Sequence, residues 1–175
     1  MQRSYKTYLN DITTFIFDVD GVLTDGTVLI STDGELLRSM SVKDGYAIKT
    51  AIDKGYIVCI ISGGSNEGVR KRLAGLGVKH IYLGTSQKEL PFNEFIDKND
   101  IDTPNILYMG DDIPDIPPMR KVAIAACPQN AVPEVKAICN YVSHKNGADG
   151  CVRDVIEQVL KVKGHWADHF DAKND

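Results

Sequence analysis

The sequence has no apolar run approaching the ~20 residues that a membrane-spanning helix needs. It also has no run at its start long enough for a secretory signal, because the first short one is broken at Asp18 and Asp20. It lacks a C-x-x-C pair. Cys59, Cys127, Cys139 and Cys151 are scattered, which argues against zinc or a disulfide framework and for reduced thiols in the cytosol. It lacks a block of like charge. The net charge of −4 is spread along the chain, so there is no electrostatic footprint for nucleic acid. Internal repeats and low-complexity stretches are missing too, which excludes solenoids and disordered tracts. What is present is 175 residues, 43% of them hydrophobic, enough for one packed core without covalent staples. The expectation is a soluble, cytoplasmic, single-domain protein with no membrane and no nucleic-acid partner.

Short β-branched runs alternate with helix-patterned segments. Residues 15–19 (FIFDV), 57–61 (IVCII), 81–83, 106–109 and 122–126 read as strands, and such short apolar runs suit a parallel sheet buried on both faces. Between them, Ala47, Ile48, Ala51 and Ile52 recur at helical spacing before Gly55, and Val69, Leu73 and Leu76 do so before Gly77. Leu90, Phe92, Phe95 and Ile96 give a third stripe, with Pro91 tolerable only in its first turn. Val135, Ile138 and Cys139 give a fourth, and Val152, Val155, Ile156, Val159 and Leu160 a last one. This alternation predicts an α/β fold with a doubly wound parallel sheet. One segment departs from it. Residues 27–42 alternate around Thr32-Asp33-Gly34 and read as a β-hairpin where a helix would otherwise follow the first strand. The expected division is an N-terminal extension at 1–13, a main domain at 14–163 carrying the 27–42 flap, and a polar tail at 164–175.

Ligands of open α/β sheets bind at the carboxyl ends of the strands. The first strand ends in Asp18-Val19-Asp20-Gly21 and the fourth in Gly110-Asp111-Asp112. Carboxylates converging there repel one another, and a hard divalent cation with oxygen ligands, Mg²⁺ above all, resolves the repulsion. Either motif alone is an ordinary polar turn; both together at two parallel strand ends are not. The second strand ends in Ser62-Gly63-Gly64, whose backbone N–H groups suit a phosphate. Lys88 follows the third strand and would offset phosphate charge.

These residues resemble the motifs of the haloacid-dehalogenase superfamily of phosphatases. The fuller set FIFDVDGVLTDG, SVKDGYAIK, ISGG, Lys88 and YMGDDIPD, spanning about 14–160, is similar to one branch. That branch comprises the 3-deoxy-D-manno-octulosonate 8-phosphate phosphatases and their relatives acting on nine-carbon, sialic-acid-type phosphates. The resemblance implies a Rossmann-like haloacid-dehalogenase fold with no separate cap domain. It implies that Asp18 attacks phosphorus, and that Asp20 protonates the leaving alkoxide and then activates water. Asp18, Asp111 and the Asp20 carbonyl would hold Mg²⁺, Asp112 and Asp115 would support that shell, and Ser62 and Lys88 would grip the phosphoryl oxygens.

The resemblance also implies a small-molecule sugar-acid phosphate as substrate. Ser41, Val42, Lys43, Asp44, Gly45, Lys49 and Arg72 would contact it, with Gly63 and Gly64 at the phosphate and Glu67 at sugar hydroxyls. The chain departs from many octulosonate phosphatases at Gly64 and Lys43, where arginine is common, which reopens the choice between eight and nine carbons. Family members form homotetramers in which neighbouring subunits complete each site, and that assembly is expected here. The rivals are a nine-carbon phosphatase, a broad phosphatase and a non-catalytic tetramerisation module; intact Asp18, Asp20, Lys88 and Asp111 argue against the last. Asn146-Gly147-Ala148-Asp149-Gly150 falls where the family has a glycine-rich segment near a neighbour's site, and it also reads as a loop with Asp149 as helix cap. His165 and His169 sit four apart but have no evident third partner, which argues against a metal there.

Overall fold

The computed structural model describes residues 4–167. In chain order the elements are β1 (Thr14–Phe17), β2 (Leu29–Ile30), β3 (Leu36–Leu37), α1 (Val42–Asp53), β4 (Ile57–Ile61), α2 (Glu67–Gly75) and β5 (His80–Tyr82). They continue with α3 (Glu89–Asn99), β6 (Ile106–Met109), α4 (Ile116–Met119), β7 (Ile124–Cys127), α5 (Pro133–Ile138), β8 (Tyr141–Val142) and α6 (Cys151–Val162). Six strands form one parallel sheet in the order β5-β4-β1-β6-β7-β8. The chain winds outward from β1 on one side, then returns to the other side through β6. The switch point therefore lies between β1 and β6, where a doubly wound sheet opens its ligand crevice.

Every residue of β1, β6 and β7 is buried, which explains why these strands read as unbroken apolar runs. One core face joins the sheet to α1, α2 and α6 through residues such as Ile48, Leu73 and Ile156. The opposite face joins it to α3, α4 and α5 through Phe92, Phe95, Met119 and Val135. On α6, Val152, Val155, Ile156, Val159 and Leu160 form the buried stripe, each contributing about 1.5–3 kcal/mol by leaving water. On α3 the stripe is narrower than the sequence spacing indicates. Leu90 is 63% exposed and the buried face is Pro91, Phe92 and Phe95, because a residue two positions before Phe92 lies on the opposite side of the helix.

Four further points separate pattern from structure. The hairpin is real and antiparallel, with its turn at Thr32 and Asp33, but each strand is only two residues long. Its far end belongs to α1 instead: Ser41 caps that helix, accepting from Asp44 N at 3.4 Å. β8 is a two-residue edge strand inside a polar stretch and left no periodic signal. Asp149 does not cap α6. The cap comes from a distance, as Asp44 Oδ1 accepts from Arg153 N at 2.7 Å.

The residues before β1 are tied into the domain. Leu9 and Ile12 are buried in the core, and Tyr5 donates to Gln158 at 2.9 Å while its ring lies 4.6 Å from that of Tyr141. At the other end, His165 Nδ1 lies 3.1 Å from the Tyr56 hydroxyl, and Arg153 stacks over Trp166 at 5.2 Å. His169 lies outside the described residues, and so does the tail beyond 167. Among the described residues no helix is long and apolar enough to cross a membrane. All four cysteines are free, and Cys59, Cys127 and Cys151 are buried.

The loop 146–150 buttresses the turn after β1. Ala148 N donates to Val22 O at 3.1 Å, and a Cβ on Gly147 would lie 2.1 Å from Gly21 O and 2.6 Å from Thr24 O. Backbone cannot yield there as a flexible side chain can. Gly147→Ala is expected to lose about 2–3 kcal/mol, read as a lowered urea midpoint. An unchanged midpoint would show that the contact is not tight.

Candidate active site

The β1 strand delivers Asp18 to the crevice, and β6 delivers Asp111. Asp18 N is fixed by Met109 O at 3.1 Å, so the two strand ends cannot drift apart. Between them the chain turns sharply through Gly21, at φ +89°, where a Cβ would lie 1.9 Å from Asp111 Oδ2. Glycine is required by both conformation and space. The result is a knot of acidic groups in which ligand oxygens of Asp18, Asp111 and Asp115 lie within 4.8 Å of one another.

Lys88, at the start of α3, is the cation built into this knot. Its Nζ lies 2.8 Å from Asp18 Oδ2 and 2.7 Å from Asp115 Oδ1, and all three side chains are buried. Asp115 is the foundation. It accepts from Lys88 and, at 2.9 Å, from the Tyr108 hydroxyl, while its other oxygen faces Asp111 N at 3.4 Å. Gly110 makes room for it, since a Cβ there would lie 2.4 Å from Asp115 Cβ.

One lysine does not balance three carboxylates. Asp18 is pushed up to about 6, first by burial and then by Asp115, against the pull of Lys88. Asp111 is pushed up to about 7 by burial, Asp18 and Asp115. Burial drags Lys88 downward, but Asp115 and Asp18 outweigh it and its value is raised. The buried oxygens Asp18 Oδ1 and Asp111 Oδ1 have no hydrogen-bond partner. Two orphaned carboxylate oxygens in this cluster, which among the described residues offers oxygen ligands alone, fit a hard divalent cation such as Mg²⁺.

That fit has a pH signature. Both carboxylates have raised values in the fold, so between pH ~4 and ~7 the folded state holds protons that the unfolded chain has released. Their contribution to metal-free stability is therefore complete at low pH and lost as pH rises through 6 to 7. A cation that replaces those protons should stabilise more at pH 7.5 than at pH 5.5. The check is the Tm gain on adding Mg²⁺ to EDTA-treated protein at each pH; equal gains would contradict the assignment.

A cleft of about 510 Å³ opens over the knot, lined by Asp18, Asp20, Ser62, Gly63, Gly64, Lys88, Asp111 and Asp112, among others. Ser62 is buried at the end of β4, and its Oγ accepts from Gly64 N at 3.3 Å. Asp112 uses its carboxylate to accept from Ile113 N at 2.8 Å, shaping the turn that carries Asp115. The structure thus gathers the four strand-end motifs around one cavity.

The other sequence candidates lie elsewhere within this chain. Ser41, Val42, Lys43, Asp44 and Gly45 form the start of α1, and Asp44 is turned into the protein toward α6. Its value is raised to about 6, chiefly by burial and against the backbone donors of Arg153 and Gly150. Lys43 lines a separate hollow with Arg153 and His144. Lys49 is half-buried on α1, and Glu67 pairs with Arg70 at 3.5 Å. Arg72 lines a hollow under the flap with Leu37 and Met40.

Two residues of the site were not singled out from the sequence. Tyr108 looked like one more apolar strand residue. Arg38, in the flap, donates to both carboxylate oxygens of Asp20 through Nε and Nη2, at 2.6 and 3.0 Å. Only a cation set among the apolar flap residues marked it.

The haloacid dehalogenase-like hydrolase family model matches residues 81–156. A 3-deoxy-D-manno-octulosonate 8-phosphate phosphatase of Salmonella typhi is 37% identical over 158 residues, covering 90% of this chain and 84% of the relative. The chain belongs to the 3-deoxy-D-manno-octulosonate 8-phosphate phosphatase family. Solved structures agree. The octulosonate phosphatase of Yersinia pestis superposes with a TM-score of 0.90 at 30% identity, covering 94% of this chain and 89% of that one. The octulosonate phosphatase of Moraxella catarrhalis, in complex with a magnesium ion, a phosphate ion and a KDO molecule, gives 0.87 at 30% identity over 92% of both chains. The six-stranded parallel sheet is thus the fold that these octulosonate phosphatases share with this chain.

Proposed function

We propose that this protein hydrolyses 3-deoxy-D-manno-octulosonate 8-phosphate to the free sugar acid and inorganic phosphate, through an aspartyl-phosphate on Asp18. The observation that carries the reading is the knot of Asp18, Asp111 and Asp115 around Lys88, with two orphaned oxygens at the floor of a cleft. Mg²⁺, held by Asp18, Asp111 and the Asp20 carbonyl with Asp112 and Asp115 in support, would neutralise charge on the phosphoryl oxygens. Asp18, buried and steadied by Lys88, attacks phosphorus. Asp20 protonates the leaving alkoxide and then takes a proton from the attacking water. Lys88, Ser62 and the N–H groups at Gly63 and Gly64 stabilise the charge that builds on the phosphoryl group.

The catalytic unit in this reading spans 14–163, with the flap at 27–42 and a tail from 164. The flap is too small to be a lid, and Leu29 and Ile30 on it are 69% and 67% exposed. Those exposed residues, and the distance of Ser41–Gly45, Lys43, Lys49, Glu67 and Arg72 from the cleft of their own chain, support a homotetramer in which neighbours complete each site. An active monomer by sedimentation would contradict that assembly. Free thiols and the absence of a membrane-spanning helix among the described residues suit a cytoplasmic enzyme. The second reading is a nine-carbon, sialic-acid-type 9-phosphate, favoured by Gly64 standing where arginine is common. Side-by-side kcat/KM on the two substrates decides between them: the proposal expects the eight-carbon ester to lead, and a lead for the nine-carbon ester would replace it.

A further inference from the structure

We infer that Arg38 is a specificity-determining residue: it clamps Asp20 and exchanges that partner for the carboxylate of the incoming sugar-acid phosphate. This rests on the phosphatase reading above and extends it to a residue on the flap.

All three guanidinium nitrogens of Arg38 are engaged. Nε donates to Asp20 Oδ1 at 2.6 Å, Nη2 to Asp20 Oδ2 at 3.0 Å, and Nη1 to Leu36 O at 3.0 Å. The acid/base carboxylate is thus held by both oxygens, in the fork geometry that makes arginine–carboxylate pairs strong and directional. Gly64 permits this. A Cβ there would lie 3.0 Å from Asp20 Oδ2 and 3.3 Å from Arg38 Nη2, so a side chain at 64 would intrude on the pair.

The charge balance of the cleft says what releases it. Its lining residues include Asp18, Asp20, Asp111 and Asp112 but, among the described residues, Lys88 as the lining cation. Lys88 is already engaged by Asp18 and Asp115. A divalent ion and Lys88 answer the phosphoryl group and the buried carboxylates. Within this chain's own cleft, the cation joined to the lining residue Asp20 and open to exchange with a further substrate carboxylate is Arg38. Exchanging one carboxylate for another preserves the fork, so it costs little, and it frees Asp20 to turn toward the leaving oxygen.

Arg38 also has somewhere to move. It stands between the cleft and a hollow of about 390 Å³ lined by Leu37, Met40, Asn66 and Arg72. It is carried on a hairpin that Asn66 ties down through Leu36 O at 3.0 Å. A phosphate ester without a carboxylate leaves the clamp shut and is turned over slowly, so the pair selects for sugar acids.

The test compares wild type, Arg38→Met and Arg38→Lys, each checked for folding by its Tm, on the octulosonate phosphate and on a neutral hexose 6-phosphate. The expected result for Arg38→Met is a kcat/KM about 10- to 100-fold lower on the sugar acid, the loss of one charged contact, with no fall on the hexose phosphate. The free octulosonate, which has the carboxylate without the phosphate, should inhibit Arg38→Met about tenfold more weakly than wild type. Arg38→Lys, keeping the charge without the fork, should recover part of both. Equal losses on the two esters, or unchanged discrimination and inhibition, would overturn the inference and leave the phosphatase reading standing. A wild type inert toward the sugar-acid phosphate would end that reading and this inference with it.

Discussion

Replacing Asp18 with Asn is expected to abolish turnover, by at least ~10⁴-fold in kcat, because removing the nucleophile of a covalent mechanism leaves only binding and charge stabilisation. The amide is nearly isosteric and Asp115 still holds Lys88 from below at 2.7 Å, so the variant should fold. Its readout is twofold. Steady-state phosphate release falls to background, and acid quenching with radiolabelled substrate traps label on the wild-type peptide containing Asp18 and none on the variant. Residual activity within tenfold of wild type would place the nucleophile elsewhere. The neighbouring carboxylates do not substitute for it. Asp111 is opposed to Gly21, Asp115 is enclosed beneath Lys88 and Tyr108, and Asp20 is gripped by Arg38.

Lys88→Met carries the second large effect, and it acts on stability as well as rate. The lysine is 5% exposed and bridges two buried carboxylates. Its loss removes a fixed positive charge from the position where phosphoryl oxygens gain charge, worth roughly 10²–10³ in kcat. It also leaves the acidic knot without its cation, and an uncompensated buried charge costs about 3–5 kcal/mol. The stability loss should depend on conditions in a defined direction. Lys88 holds the Asp18 value down against burial and Asp115, so in EDTA its loss costs most at pH 7.5, where the wild-type carboxylate is ionised beside it. At pH 5.5 Asp18 takes up a proton and the cost shrinks. Urea unfolding of both proteins in EDTA at the two pH values reads this. A loss independent of pH would mean that Lys88 matters through packing alone.

Much of this was legible in the chain because the decisive groups lie in contiguous motifs at strand ends. FIFDVDG and YMGDD each combine a strand buried on both faces with the carboxylates that leave its carboxyl end, so periodicity and chemistry coincide. The parallel order follows from the same alternation. What the sequence concealed was long-range. Asp44 stands in a stretch that the resemblance assigns to substrate, and only the folded chain brings it to the amino end of α6, 109 positions away. Gly147 looks like a loop glycine until it is set against the Gly21 carbonyl. Arg38 sits in a hairpin whose residues alternate for a flap, and nothing local links it to Asp20, 18 positions earlier. Leu90 was misleading for the opposite reason: it is apolar and adjoins the stripe of α3, yet it stands on the outer side of that helix, 63% exposed.

The reading of the site as a phosphatase centre depends on the acidic knot being a metal-assisted centre and not a strained structural cluster. The most direct test is phosphate release from 3-deoxy-D-manno-octulosonate 8-phosphate by metal-stripped wild-type enzyme, titrated with Mg²⁺ and then with excess EDTA. The account predicts no turnover without the ion, saturable turnover with it, and loss again on chelation. Turnover that persists in EDTA, or none at any Mg²⁺ concentration with folded protein, would contradict it.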